Sequence, residues 1–146
     1  MKADSKKIAD GVYWVGALDW DTRSFHGYQI TGTTYNCYLV FGEDKVALID
    51  NVFTGMSDQL YARIEDAFKK EGKDEVKIDV MIQNHSEADH TKCLGQTLEK
   101  FPEAKLYASP NCNKFLKLQY FELEDKEINI VKTGDELDLG GKTLTF

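Results

Sequence analysis

The hexapeptide His85-Ser86-Glu87-Ala88-Asp89-His90 holds the densest chemistry in the chain: four of its six side chains can bind a metal. In an extended segment residues i and i+2 point the same way, so His85 and Glu87 suit one cation. Asp89 and His90 point elsewhere. Either they serve a second cation, or Asp89 caps the helix that follows; two metals a few Å apart suit two pairs of ligands. The bland alternative is a polar turn with a solvated charge cluster. Four ligand-type residues in six positions, set between a buried strand and a helix, argue against it.

The flanking elements explain how such a turn would be presented. Ile78-Asp79-Val80-Met81-Ile82 reads as a buried strand, and Leu94, Leu98 and Phe101 mark a helix that ends before Pro102. A strand-to-helix turn on a rigid scaffold is a common place for functional side chains. Upstream, Val12 to Val15 reads as a strand closed by Gly16. Asp19 to Gly32 reads as an irregular loop, rich in aromatic residues (Trp20, Phe25, His26, Tyr28). Thr34 to Phe41 and Lys45 to Asp50 form a hairpin across Gly42-Glu43-Asp44. Ser57 is the expected N-cap of a helix reaching about Lys70, with the apolar stripe Leu60, Ile64, Ala67, Phe68 and a stop at Gly72. Downstream, Leu106-Tyr107-Ala108 is a short strand. Ser109-Pro110 starts a helix whose expected buried side is Phe115, Leu116 and Tyr120. Ile128 to Val131 is a strand, and Leu137 to Leu139 pairs with Lys142 to Phe146 across Gly140-Gly141.

The 146 residues suffice for one domain with a core, and 42% hydrophobic with 29% charged residues is ordinary for a globular chain. A net charge of −7 argues against nucleic acid and against anionic membrane surfaces as partners. No apolar run reaches the length of a membrane span, and the N-terminus lacks the apolar stretch of a secretory signal. Cys37, Cys93 and Cys112 are odd in number and widely spaced, which suits free thiols in a reducing cytoplasm.

His-x-Glu-x-Asp-His after a hydrophobic strand resembles the metal motif of the flavodiiron proteins, within the metallo-β-lactamase superfamily. The stretches Asp10-Gly11-Val12-Tyr13-Trp14-Val15-Gly16, Phe25-His26-Gly27-Tyr28, Thr33-Thr34-Tyr35-Asn36 and Val46-Ala47-Leu48-Ile49-Asp50 look like the start of such a protein, so the resemblance runs over essentially the whole chain. Most zinc hydrolases of the superfamily carry His where Glu87 stands. A carboxylate there makes the site harder and shifts preference from zinc toward iron or manganese. At Thr91-Lys92-Cys93 the chain departs from the Ser-Gly and small residue common in the family. Lys92 would weaken cation binding if it pointed inward, and Cys93 is expected to be a small buried helix residue.

The resemblance implies an α+β fold, a metallo-β-lactamase-like αββα sandwich, of which the elements read above, roughly seven strands and three helices, make the first half to two-thirds. It implies reduction of dioxygen to water, or of nitric oxide to nitrous oxide, at a non-haem diiron site. His85 and Glu87 would hold one iron, and Asp89, with or without His90, the other. His26 would sit beside the metals without necessarily binding them, either supporting a ligand or facing substrate, and Asp50 would brace the metal loop. In a full member a His, a bridging carboxylate, another His and a flavodoxin-like domain carrying FMN follow. With His26, His85 and His90 its only histidines, the chain is expected to be one C-terminally incomplete domain without the flavodoxin-like part. Electrons would come from a redox donor such as a rubredoxin or a flavoprotein reductase. Two other readings stay open: a metal-dependent hydrolase, and a non-catalytic module that keeps the fold and oligomerises. Two protein ligands per metal predict weak metal binding by this chain alone. A final strand with an unpaired edge, and a sheet face short of cover, predict a symmetric homodimer.

Overall fold

The computed structural model describes residues 4–146. In chain order the strands are β1 (Lys6–Ala9), β2 (Val12–Trp14), β3 (Ala17–Asp19), β4 (Ser24–Phe25), β5 (Tyr28–Gln29), β6 (Thr33–Tyr35), β7 (Tyr38–Phe41) and β8 (Val46–Ile49), followed by helix α1 (Ser57–Lys70) and β9 (Val80–Gln83). Then come α2 (Ala88–Thr91), α3 (Leu94–Lys100), β10 (Lys105–Ala108), α4 (Pro110–Gln119), a 3₁₀ turn (Phe121–Leu123), β11 (Ile128–Ile130), β12 (Glu136–Asp138) and β13 (Thr143–Thr145).

Seven strands form the main sheet in the order β1-β2-β7-β8-β9-β10-β11. The β1 to β8 half is antiparallel and the β8 to β11 half parallel. Alternation along the strands divides the core between two faces. On one face Leu39, Phe41, Leu48, Met81 and Leu106 pack with Leu60, Ile64 and Phe68 of α1, Leu94 and Leu98 of α3, and Leu116 of α4. On the other, Val40, Ala47, Val80 and Ile82 pack with Leu139, and Leu137, Leu144 and Phe146 of the β12–β13 hairpin lie against them. Strands β8 and β9 are covered on both sides, which is why they read as nearly continuous apolar runs.

The β12–β13 hairpin opens the second layer of a sandwich. The amides of Asp44 and Lys45 both donate to the Leu139 carbonyl at 3.0 Å, and Glu43 donates to that of Gly140 at 2.7 Å. A Cβ at Gly42 would lie 2.1 Å from the Leu139 oxygen, so this close approach of two backbones requires glycine.

Four local expectations are corrected. The run from Thr34 to Phe41 is not one strand: Thr33–Tyr35 pairs with Ala17–Asp19, whereas Tyr38–Phe41 pairs with β2 and β8. The ribbon breaks on both strands at one level. There Val15 donates to the Cys37 carbonyl at 2.8 Å, and a Cβ on Gly16 would meet the Tyr35 oxygen at 2.0 Å. The loop from Asp19 to Gly32 carries its own short β4–β5 hairpin. Ser57 is the first helical residue rather than the cap; Met56 occupies that position, with no side-chain cap. Phe115 faces solvent at 49% exposure, and Cys112, Leu116 and Tyr120 supply the buried side of α4. Ser109 caps α4 as expected, accepting from the Cys112 amide at 3.2 Å, and Gly72 with φ +68° follows the end of α1.

Candidate metal centre

The site forms where β8 and β9 end side by side. Their parallel register pairs Ile49 with Ile82, so Asp50 emerges next to Gln83 and the metal loop. This carboxyl edge of parallel strands is where open α/β sheets commonly place ligands. Asp50 has φ +59°, a left-handed conformation that costs a non-glycine residue free energy. Its carboxylate repays the strain: Oδ1 accepts from the Asn84 amide at 2.8 Å, the His85 amide at 3.0 Å and the Gln83 side-chain amide at 3.0 Å. The brace expected of Asp50 is therefore present, and it bridges residues more than thirty positions apart.

The loop brings three of the hexapeptide's four ligand-type groups together, with His90 beside Asp89 at the edge of the group. One ligand atom each from His85, Glu87 and Asp89 lies within 4.8 Å of the others. His85 Nε2 stands 3.5 Å from Asp89 Oδ1 and 3.8 Å from Glu87 Oε2. His90 Nε2 stands 3.7 Å from Asp89 Oδ2, and the two imidazoles meet edge to face at 5.3 Å. Asp89 thus faces both histidines and does not cap α2, where Glu87 holds the cap position without a side-chain bond. The four side chains grade from open to sunk: Glu87 is 61% exposed and His85 46%, against 18% for Asp89 and 17% for His90.

These residues fit a metal. His90 Nδ1 is buried without a hydrogen-bond partner, and such an orphan is costly unless an ion or water serves it. Two imidazoles and two carboxylates make a mixed nitrogen–oxygen donor set suited to iron, manganese or zinc. The three cysteines are buried and lie outside the group of candidate ligand atoms. Burial raises all three thiols, Cys112 to about 11, and each donates to a carbonyl: Cys37 to Asp50, Cys93 to Phe53, Cys112 to Gln83. Cys93 is the small buried residue expected. Lys92 sets its Nζ 5.5 Å from the Tyr120 ring centroid, in a cation–π contact with the residue that follows α4.

His26 reaches the same group from the other side, its Nε2 3.9 Å from Glu87 Oε2. Its position follows from turn geometry. His26 (φ +49°) and Gly27 (φ +82°) are the two central residues of the β4–β5 hairpin, as a type I′ turn demands. Sequence reasoning missed Gln83, whose signal was slight: a polar residue at the end of the apolar run Val80-Met81-Ile82. A 390 Å³ cavity lies beside the loop at the ends of β9, β10 and β11, lined by Gln83, Asn84, Ser109, Lys132 and Phe146 among others; it holds none of the four hexapeptide side chains.

No family model matches the chain. Among curated relatives, a coenzyme F420H2 oxidase of Methanocaldococcus jannaschii is 58% identical over 96% of this chain and 33% of its own length. A nitric oxide reductase of Moorella thermoacetica is 40% identical over 95% of this chain and 34% of its own length. Among solved structures, a rubredoxin oxygen:oxidoreductase of Desulfovibrio gigas superposes with a TM-score of 0.84 at 35% identity, covering 97% of this chain and 34% of that one. The flavodiiron protein of Giardia intestinalis gives 0.82 at 31%, covering 97% and 33%. A subclass B3 metallo-β-lactamase of Bradyrhizobium japonicum, 19% identical with a TM-score of 0.67 over 97% of this chain and 50% of its own, shares the fold. The chain spans about a third of the length of the curated relatives it matches. By sequence and by fold the chain is similar to about a third of these flavodiiron oxidases and reductases, and its fold is that of their metallo-β-lactamase-like domain.

Proposed function

We propose that this chain supplies part of the ligand set of a dinuclear non-haem iron centre, in a protein that passes electrons to dioxygen or nitric oxide. The observation that carries the reading is the convergence of His85, Glu87 and Asp89 ligand atoms within 4.8 Å, beside an orphaned His90 Nδ1. His85 and Glu87 would hold one metal, and Asp89, with or without His90, the other. The iron pair, when bound, supplies the redox chemistry. The chain's own groups set its surroundings. Asp50 orients the loop through two backbone amides, and Asp89 lies between the two imidazoles. His26, 64% exposed, faces Glu87 through its Nε2 at 3.9 Å and would line the exposed side of the centre.

The donor and the substrate are proposed from the relatives. The oxidase named for reduced coenzyme F420 is 58% identical and the nitric oxide reductase 40%. This favours reduced coenzyme F420 over a rubredoxin as electron source, and dioxygen as acceptor. FMN in a flavodoxin-like domain would relay the electrons in a protein of the relatives' length. A homodimer and a cytoplasmic location belong to the same reading; among the described residues no helix is long and apolar enough to cross a membrane. Anaerobic titration of the chain with Fe(II), Mn(II) and Zn(II) tests the site. Binding of Fe(II) that is lost in Glu87→Ala supports the reading. Preference for Zn(II), together with ester hydrolysis, would move the chain to the hydrolases instead.

A further inference from the structure

Gln83 is 2% exposed and ends β9 two residues before the first candidate ligand. Its side-chain nitrogen lies 2.7 Å from the His85 carbonyl, 3.0 Å from the His90 carbonyl and 3.0 Å from Asp50 Oδ1. All three are acceptors, so the amide orientation is settled: only the NH2 end can face them. Its two hydrogens serve three acceptors, one of them shared. The main chain is pinned as well, because the Gln83 carbonyl accepts the Cys112 thiol at 3.3 Å.

We propose that Gln83 is the positioning residue of the metal loop, joining its first and last ligand residues to each other and to Asp50. The inference rests on the metal reading given above. His85 and His90 are five positions apart, and no backbone bond links their carbonyls; one side-chain amide brings both to the same point. That closes the loop and sets the spacing of the two imidazoles. Without the amide, two inward-facing carbonyls and a carboxylate would be left to repel one another in a poorly hydrated pocket, and the loop would open to reach water. Asp50 alone holds only the entry of the loop, through the Asn84 and His85 amides. Gln83 reaches its exit at the His90 carbonyl, and just beyond it Thr91 meets the Tyr120 hydroxyl and the Cys93 amide donates to Val52.

The test compares the unsubstituted chain with Gln83→Leu, which keeps the volume and removes the donors, and Gln83→Asn, which keeps an amide but shortens it by one methylene. Cys93→Ala is the control for general loss of stability. Two readouts are taken. In metal-free protein, amide hydrogen exchange at Asn84, His85 and His90 is expected to speed up at least about tenfold in both Gln83 variants, with β7 and β8 protection unchanged. Co(II) affinity is expected to fall about 10- to 100-fold, the range typical of residues that orient metal ligands, with a shifted visible band. Cys93→Ala should lower the melting temperature and leave both readouts in place. If Gln83→Leu does not fold, Gln83→Asn carries the comparison. Loop exchange within about twofold of the unsubstituted chain overturns the proposal. If the unsubstituted chain binds no Co(II), the metal reading fails, and the exchange data still decide the role of Gln83.

Discussion

Two loops meet at Glu87, and each is organised by one aspartate that accepts adjacent backbone amides. In the metal loop Asp50 takes the amides of Asn84 and His85. In the aromatic loop Asp19 takes those of Asp21 and Thr22 at 2.9 and 3.0 Å, together with the Thr22 hydroxyl at 2.7 Å and the Tyr35 hydroxyl at 3.1 Å. The devices look alike and differ in range. Asp19 makes most of its bonds two and three residues ahead, in a local turn that short polar side chains form readily, and adds the Tyr35 hydroxyl from β6. Asp50 bonds across to another strand and sits at a strained φ to do so. The local brace carries a loop whose Trp20 and Tyr28 are largely exposed. The long-range brace carries the loop where Asp89 and His90 are sunk. The loop that carries the candidate ligands is braced by bonds between distant residues, and the aromatic loop facing it mainly by bonds within a turn.

That contrast breaks most sharply at the ligands. Alanine at His85, Glu87 or Asp89 is expected to lower metal affinity by at least about 100-fold, beyond the loss typical of supporting residues, with little change in melting temperature. Retained affinity in any two of these variants would remove the metal reading from the loop. Next in size, Asp50→Ala should cost about 3 kcal/mol in chemical denaturation, because a charged acceptor and its neighbouring bonds go together. Asp50→Asn should cost clearly less, since asparagine tolerates positive φ and keeps one oxygen. Equal losses in the two variants would show that the carboxylate charge, not the geometry, holds the loop.

Asp19 sharpens the comparison from the other side. The Thr22 hydroxyl, helped by the Asp21 and Thr22 amides and the Tyr35 hydroxyl, holds its carboxyl down to about 2 against partial burial. A folded-state value below the unfolded one means the contribution is complete above about pH 4 and is lost as pH falls through about 2; it amounts to no more than about 2 kcal/mol. Melting followed from pH 6 to pH 2 should therefore show a shallower acid limb in Asp19→Asn than in the unsubstituted chain, with metal affinity unchanged; coincident limbs would deny the brace. The smallest effect is expected at His26→Ala. An exposed pair is worth at most about 1 kcal/mol, so metal affinity should move by no more than about fivefold. A larger drop, measured by the same titration, would make His26 a ligand.

The amino-acid sequence by itself placed the His85–His90 turn between a strand and a helix, the hairpins around Gly42 and Gly140, the Ser109-Pro110 helix start and the flavodiiron resemblance. These rest on signals carried by neighbouring residues: period-two alternation, turn glycines, caps, and four ligand types in six positions. What the tertiary structure decided depends on distant partners. Thr34 to Phe41 has strand propensity throughout, yet its two halves pair differently because the backbone at Gly16 crosses against Tyr35. Phe115 has an apolar side chain, yet the turn of α4 leaves it outside while Cys112 and Leu116 face in. Gln83 looks like the polar end of a strand until His85, His90 and Asp50 are seen to converge on its amide. Local periodicity reports which face a residue takes; only the folded register of β8 beside β9 reports which atoms wait on that face.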